Sequence, residues 1–130
     1  MSLETSLFTF VTTDATVGPL IGGTRMYPGK LPQTPVMPSL TYNRITSTQE
    51  YELEGDEVDV RPSRFQIDAW DDGYDGMTIL AEAVRTRLSG YIGVMGADVV
   101  QFIEIEDMID NYETETELWR RIIDFIVWYE

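Results

Sequence analysis

Asp110-Asn111-Tyr112-Glu113-Thr114-Glu115-Thr116-Glu117-Leu118-Trp119-Arg120-Arg121-Ile122-Ile123-Asp124-Phe125-Ile126-Val127-Trp128-Tyr129 runs from an acidic turn into a long series of branched and aromatic residues. Such residues suit a pleated, half-buried surface, so residues 119–129 are expected to form a strand. Residues 99–105 form its partner, across an acidic turn around Asn111. Side chains alternate along a strand, which puts Ile123, Phe125, Val127 and Tyr129 on one face. Ile122, Ile126 and Trp128 fall on the other, interrupted by Asp124. A strand that is apolar on both faces needs a cover on both. Either a second subunit supplies the further cover, or helices and a hairpin of the same chain do.

Upstream, the pattern alternates between helix and strand. Leu3, Leu7, Phe10 and Val11 recur at helical spacing, with Ser2 placed to cap them and Gly18-Pro19 to close the segment. Ile21-Gly22-Gly23-Thr24-Arg25-Met26-Tyr27-Pro28 is a glycine turn into a short strand. Pro28, Pro32, Pro35 and Pro38 each fix φ, and prolines lack the N–H a ladder needs, so residues 28–38 are a loop. Residues 39–48 alternate as a strand, and the six acids within residues 50–59 mark the tip of an extended hairpin. Phe65, Ile67 and Ala69 alternate with Gln66, Asp68 and Trp70 in a further strand. Met77, Leu80, Ala81, Val84 and Leu88 then make one helical stripe, with Asp72 or Asp75 as its cap and Gly90 just past its end. The expected fold is a single α+β domain over residues 1–130. It has a mainly antiparallel sheet of about four to five strands, two main helices packed against it and an extended β-hairpin.

Composition narrows the function. Cysteine and histidine are both absent, which removes thiolate chemistry, the usual soft metal ligands and the commonest general base. An enzyme is therefore not expected, nor is a cofactor or a metal. No stretch approaches the roughly 20 apolar residues that cross a bilayer, and no leader precedes the first helix, so no membrane partner is expected and the chain is expected in the host cytoplasm. Twenty-three acids against nine bases give a net charge of −14, which disfavours any grip on nucleic-acid phosphates. Lys30 is the one lysine and the acids are spread along the chain. That fits either the surface of a salt-loving host's protein, where a Debye length of about 3 Å at molar salt relieves self-repulsion, or an acidic protein of an ordinary host.

Three motifs invite chemical readings. Asp71-Asp72-Gly73-Tyr74-Asp75-Gly76 with Glu82 nearly fits a calcium loop, but Gly73 stands where an oxygen ligand belongs, so a strand-to-helix turn fits better. Arg120 and Arg121 point to opposite faces of a strand and so make no single bidentate clamp; pairing with Glu113, Glu115 or Glu117, or with a neighbouring subunit, is expected. Glu104 with Glu106, or Asp68 with Asp124, could be offered as a catalytic carboxylate pair, but only sequence proximity supports them.

The closing motif, Asp110-x-Tyr112-Glu113-x-Glu115-Thr116 followed by Trp119-Arg120-Arg121 and Asp124-Phe125-x-Val127-Trp128, resembles that of the tail completion proteins of long-tailed double-stranded DNA viruses, also called tail-to-head joining or tail terminator proteins. The glycine step before Tyr27-Pro28 and the strand Phe65-Gln66-Ile67-Asp68-Ala69-Trp70 are similar to that family's as well. The resemblance implies a structural virion protein that acts as a hexameric ring. Such a ring ends the tail tube and docks it to the head connector, with DNA passing through the lumen only as cargo. Implied partners are other copies of the chain, the tail tube protein and a head-completion or connector protein. Trp119, Arg120, Arg121 and Trp128 would support the subunit contact, while Tyr42, Tyr51 and Leu53 in the hairpin would reach a neighbouring ring or tube. A head-completion (stopper) protein of the same neck, and an acidic DNA-mimic inhibitor of a nucleic-acid-binding host protein, are the alternatives.

Overall fold

A computed structural model describes residues 2–47 and 61–130. The expected tip at residues 50–59, with Tyr51 and Leu53, lies outside the described residues. Helix α1 (Leu3–Thr12) begins at Ser2, whose hydroxyl accepts from the Thr5 N–H at 3.1 Å, satisfying one of the donors that a helix start leaves open. Leu3, Leu7, Phe10 and Val11 are buried. The helix ends before Gly18-Pro19, which instead lie within a short second helix, α2 (Val17–Leu20). The Asp14 carboxylate accepts from the Thr16 and Val17 N–H groups at its start, and Pro19 fits there because an opening turn needs no N–H from it. Gly18 is required by contact: a Cβ there would stand 2.8 Å from the Thr12 carbonyl oxygen.

Strand β1 (Met26–Pro28) runs parallel to β2 (Ser39–Ser47), which is antiparallel to β3 (Arg61–Asp71). Helix α3 (Tyr74–Leu88) follows and buries the expected stripe. Its N-cap is Gly73, and no side chain caps it; Asp75 sits in the first turn without capping and Asp72 lies outside. The Asp71 carboxylate leans so close to Gly76 that any side chain at that position would collide with it. Gly90 holds φ at 73°, as expected of a residue ending a helix.

Three further strands complete the sheet: β4 (Gly93–Met95), β5 (Asp98–Glu113) and β6 (Leu118–Tyr129). Six strands in the order β1-β2-β3-β6-β5-β4 replace the four to five expected. Strand β5 passes straight through Asn111, so the acidic turn falls at residues 114–117 instead. The reason is visible in the register. Pairing with β6 shifts between Val100 and Phe102 and again between Ile105 and Asp107, and each bulge resets the alternation that marks a strand in sequence. After the second shift Met108 returns to the face of Ile103 and Ile105.

All the helices pack on one face of the sheet. There Leu40, Phe65, Ile67, Ala69, Ile103, Ile123, Phe125 and Val127 join α1 and α3 in one core. Phe65 and Phe125 stack across β3 and β6 with centroids 5.9 Å apart. The opposite face carries no helix among the described residues.

Candidate interaction surface

That helix-free face is the candidate site. At one end the proline loop, residues 29–38, folds over it and encloses a groove of about 750 Å³. Leu31, Pro35, Met37, Trp70 and Leu118 supply its apolar walls, and Asn43, Gln66, Asp68, Glu113 and Arg120 its polar floor. Arg25 anchors the loop, its Nε donating to the Pro38 carbonyl at 2.9 Å. Trp70 is fixed by its indole N–H, which donates to the Thr41 hydroxyl at 3.0 Å.

Charge on the floor is organised around Asp68. This buried carboxylate meets Arg120 Nε at 2.9 Å and accepts from Gln66 Nε2 at 2.9 Å. Burial pushes its pKa up, and the Gln66 hydrogen bond and Arg120 charge pull against that shift without overcoming it. Arg120 also donates to Glu113 at 3.1 Å and stands 5.0 Å from the Trp70 ring centre. Asp124, two strand positions along, is held in a two-point pair by Arg64 at 3.0 and 2.9 Å. Both carboxylates once offered as an acid and base pair thus have a guanidinium of their own, and among the described residues no group of three or more acidic side chains could hold a metal ion. Glu82, the last ligand of the would-be calcium loop, pairs with Arg85 at 3.2 Å.

Arg121 faces the other way, as strand alternation requires. It donates to Asp110 at 3.1 Å and to the Tyr74 and Thr78 hydroxyls, each at 3.3 Å, tying α3 to β5 and β6. Trp119 shares that face, edge-on to Tyr74 at 5.0 Å and beside Tyr112 at 4.9 Å. Tyr42, half-buried near Phe8, has its phenol pKa raised by burial and then by Glu4. Of the expected contact residues the structure therefore brings Arg120 and Trp128 to the open face, and sets Trp119, Arg121 and Tyr42 on the helix side.

Hydrogen bonding from Arg121 lowers the Asp110 pKa below its ordinary 3.8. A lowered carboxylate contributes stability that is present above the unfolded value and is lost as pH falls through the folded one. The melting temperature of the wild-type chain is accordingly expected to fall more steeply than that of Asp110→Asn on acidification below about pH 4. Circular-dichroism melts across that range check it; parallel curves would remove the linkage.

Beyond the groove the open face is mixed, with large apolar residues set among Arg64, Glu104, Asp107, Asn111 and Asp124. Phe102 (44% exposed) pairs with half-buried Trp128 and Ile109 (52%) with half-buried Ile122, Ile126 lies between them on the same face, and Val94 (66%) stands at the outer edge. Large apolar side chains exposed together on one sheet face make it a candidate contact surface.

A family model for the tail completion protein gp17 matches residues 5–130. The chain belongs to the tail completion protein gp17 family. It is a structural component of the virion tail. The fold recurs among solved structures: a chain of the virion of a native gene transfer agent particle superposes with a TM-score of 0.79 over 99% of this chain and 95% of that one, at 17% identity. No curated protein sequence matches. Membership favours the virion reading over the acidic inhibitor, which rested on net charge. The sequence missed the proline loop's groove and the Asp68 centre, because both arise from strands distant along the chain; the pairing of Asp68 with Arg120 across β3 and β6 has no local signature.

Proposed function

We propose that this tail completion protein ends the tail tube as a ring, hexameric as the family resemblance implies, and joins the tube to the head connector. DNA crosses the ring without being gripped, since an acidic wall repels phosphates. The observation that carries the reading is the helix-free sheet face. Its large apolar residues stay in water in a lone subunit, and burying them against neighbours removes that cost at about 25 cal/mol per Å². Arg120 and Trp128 then act from the open face, while Trp119 and Arg121 support it from behind by locking β6 to α3. Tyr42 supports the sheet from the helix side, and Tyr51 and Leu53, which lie outside the described residues, are the residues the resemblance would set against the adjoining ring or tube.

Sedimentation and negative-stain microscopy of the purified chain test the proposal. Closed rings of uniform diameter are expected; a chain that stays monomeric at every concentration and salt would overturn it.

A further inference from the structure

The acids are not spread evenly. Residues 15–49 contain Arg25, Lys30 and Arg44 but no acid, while residues 89–118 contain eight acids and no Lys or Arg. In a chain with 23 acids this is a strong segregation, and the fold turns it into geometry. The first segment forms β1, β2 and the proline loop, at one edge of the sheet; the second forms β4 and β5, at the other. With strands about 4.8 Å apart, the two edges of six strands lie roughly 24 Å apart on opposite sides of the subunit.

Among the described residues neither edge is fully paired from within, although Arg64 lies close enough to feel the charge of Glu104 and Glu106. Arg44 pairs with Glu4 at 3.0 Å, but Arg25 is held only by carbonyl oxygens and exposed Lys30 has no carboxylate within ion-pair distance among the described residues. On the anionic side Arg120 and Arg121 take up Glu113 and Asp110, whereas Glu104, Glu106 and Asp107 have no ion-pair partner within 4 Å among the described residues. The edge is also open along its backbone. Strand β4 pairs with Asp98, Val99 and Val100, and beyond them, among the described residues, one outer backbone hydrogen bond is made, from the Gly90 N–H to the Ile103 carbonyl at 2.9 Å.

We infer that successive copies of the chain meet head to tail, the cationic β1–β2 edge and proline loop of one subunit lying against the anionic outer edge of β5 in the next. The inference rests on the ring reading and specifies its contact. Complementary patches on opposite sides of one subunit make a heterologous contact, the kind that closes into a ring when the rotation allows. Side-chain charge carries the match, because β1 is a poor ladder partner: Pro28 has no N–H, and that of Met26 is already given to Thr24 at 2.8 Å. Two copies of the acidic edge would repel one another, so the charge pattern fixes the direction of association.

A charge-swap experiment on the full chain tests this. Glu104→Lys with Glu106→Lys reverses one edge; Lys30→Glu with Gln33→Glu and Thr34→Glu reverses the other. All five positions are exposed, and circular-dichroism melts confirm folding. Each reversed chain is expected to weaken self-association about a hundredfold and sediment as a monomer. An equimolar mixture of the two should recover wild-type sedimentation, because every reversed edge then meets a reversed partner. If both reversed chains assemble as the wild type does, the edge contact is wrong and the ring stands. If the wild type itself never assembles, the ring reading falls and this contact falls with it.

Discussion

Replacing Arg120 by methionine is expected to destabilise the fold by about 3–5 kcal/mol, because it leaves the buried Asp68 carboxylate without its counter-charge. At about 4 °C per kcal/mol for a chain of this size that is a fall in melting temperature of about 10–20 °C. The loss should depend on pH in a defined direction. Asp68 already titrates above its ordinary 3.8, with burial the leading cause, and the substitution removes a charge that holds it down. A carboxyl whose folded value is raised contributes stability below its unfolded value and loses it as pH rises through the folded one. The variant's deficit is thus largest at neutral pH and shrinks in acid. Adding Asp68→Asn should recover much of the loss at neutral pH, since the amide can still accept from Gln66 without carrying charge. Urea titrations of the three chains at neutral and acid pH check this; an equal deficit at both would show that Arg120 acts through packing on Trp70 instead.

The second large effect lies across the sheet. Phe125→Ala removes a ring that is fully buried, stacked on Phe65 at an interplanar angle of 17°, and in the strand at the centre of the core. Deletion of a buried phenylalanine costs about 3–5 kcal/mol, the transfer of its atoms plus the cavity left behind. Phe125→Leu keeps most of the volume and should cost about 1 kcal/mol. Urea midpoints at constant slope give both values. A Phe125→Ala chain within about 1 kcal/mol of wild type would mean the cavity had collapsed, and that Phe65 does not depend on its neighbour.

These residues also show where sequence was a sufficient guide. The stripe Met77, Leu80, Ala81, Val84 and Leu88 was legible because a helix repeats its contacts within one segment. The two apolar faces of β6 were legible for the same reason, as was the divergence of Arg120 and Arg121, and Glu113 does prove to be a partner of Arg120. What failed is nonlocal or irregular. The bulges in β5 broke the alternation, so the strand was ended at Ile105 when it continues to Glu113. Arg121 takes Asp110, directly across β5 and β6, a pairing that depends on where the turn falls. The turn falls at residues 114–117, later than the acidic run suggested. The groove under the proline loop depends on a chain crossing that no local pattern encodes.

The candidate surface was only half visible. That β6 needs cover on both faces follows from its composition; that α1 and α3 cover one face alone, leaving Phe102, Ile109 and Trp128 without a helix above them among the described residues, required the fold. The open face and the eight acids of residues 89–118 are the two features on which the proposed self-assembly rests.

The central claim is a place at the upper end of the viral tail, and electron microscopy of lysates from the parent virus with this gene disrupted tests it most directly. Filled heads beside detached or over-length tails, with intact particles restored when the gene is supplied in trans, are the expected result. Normal, infectious particles in the absence of the gene would contradict the account.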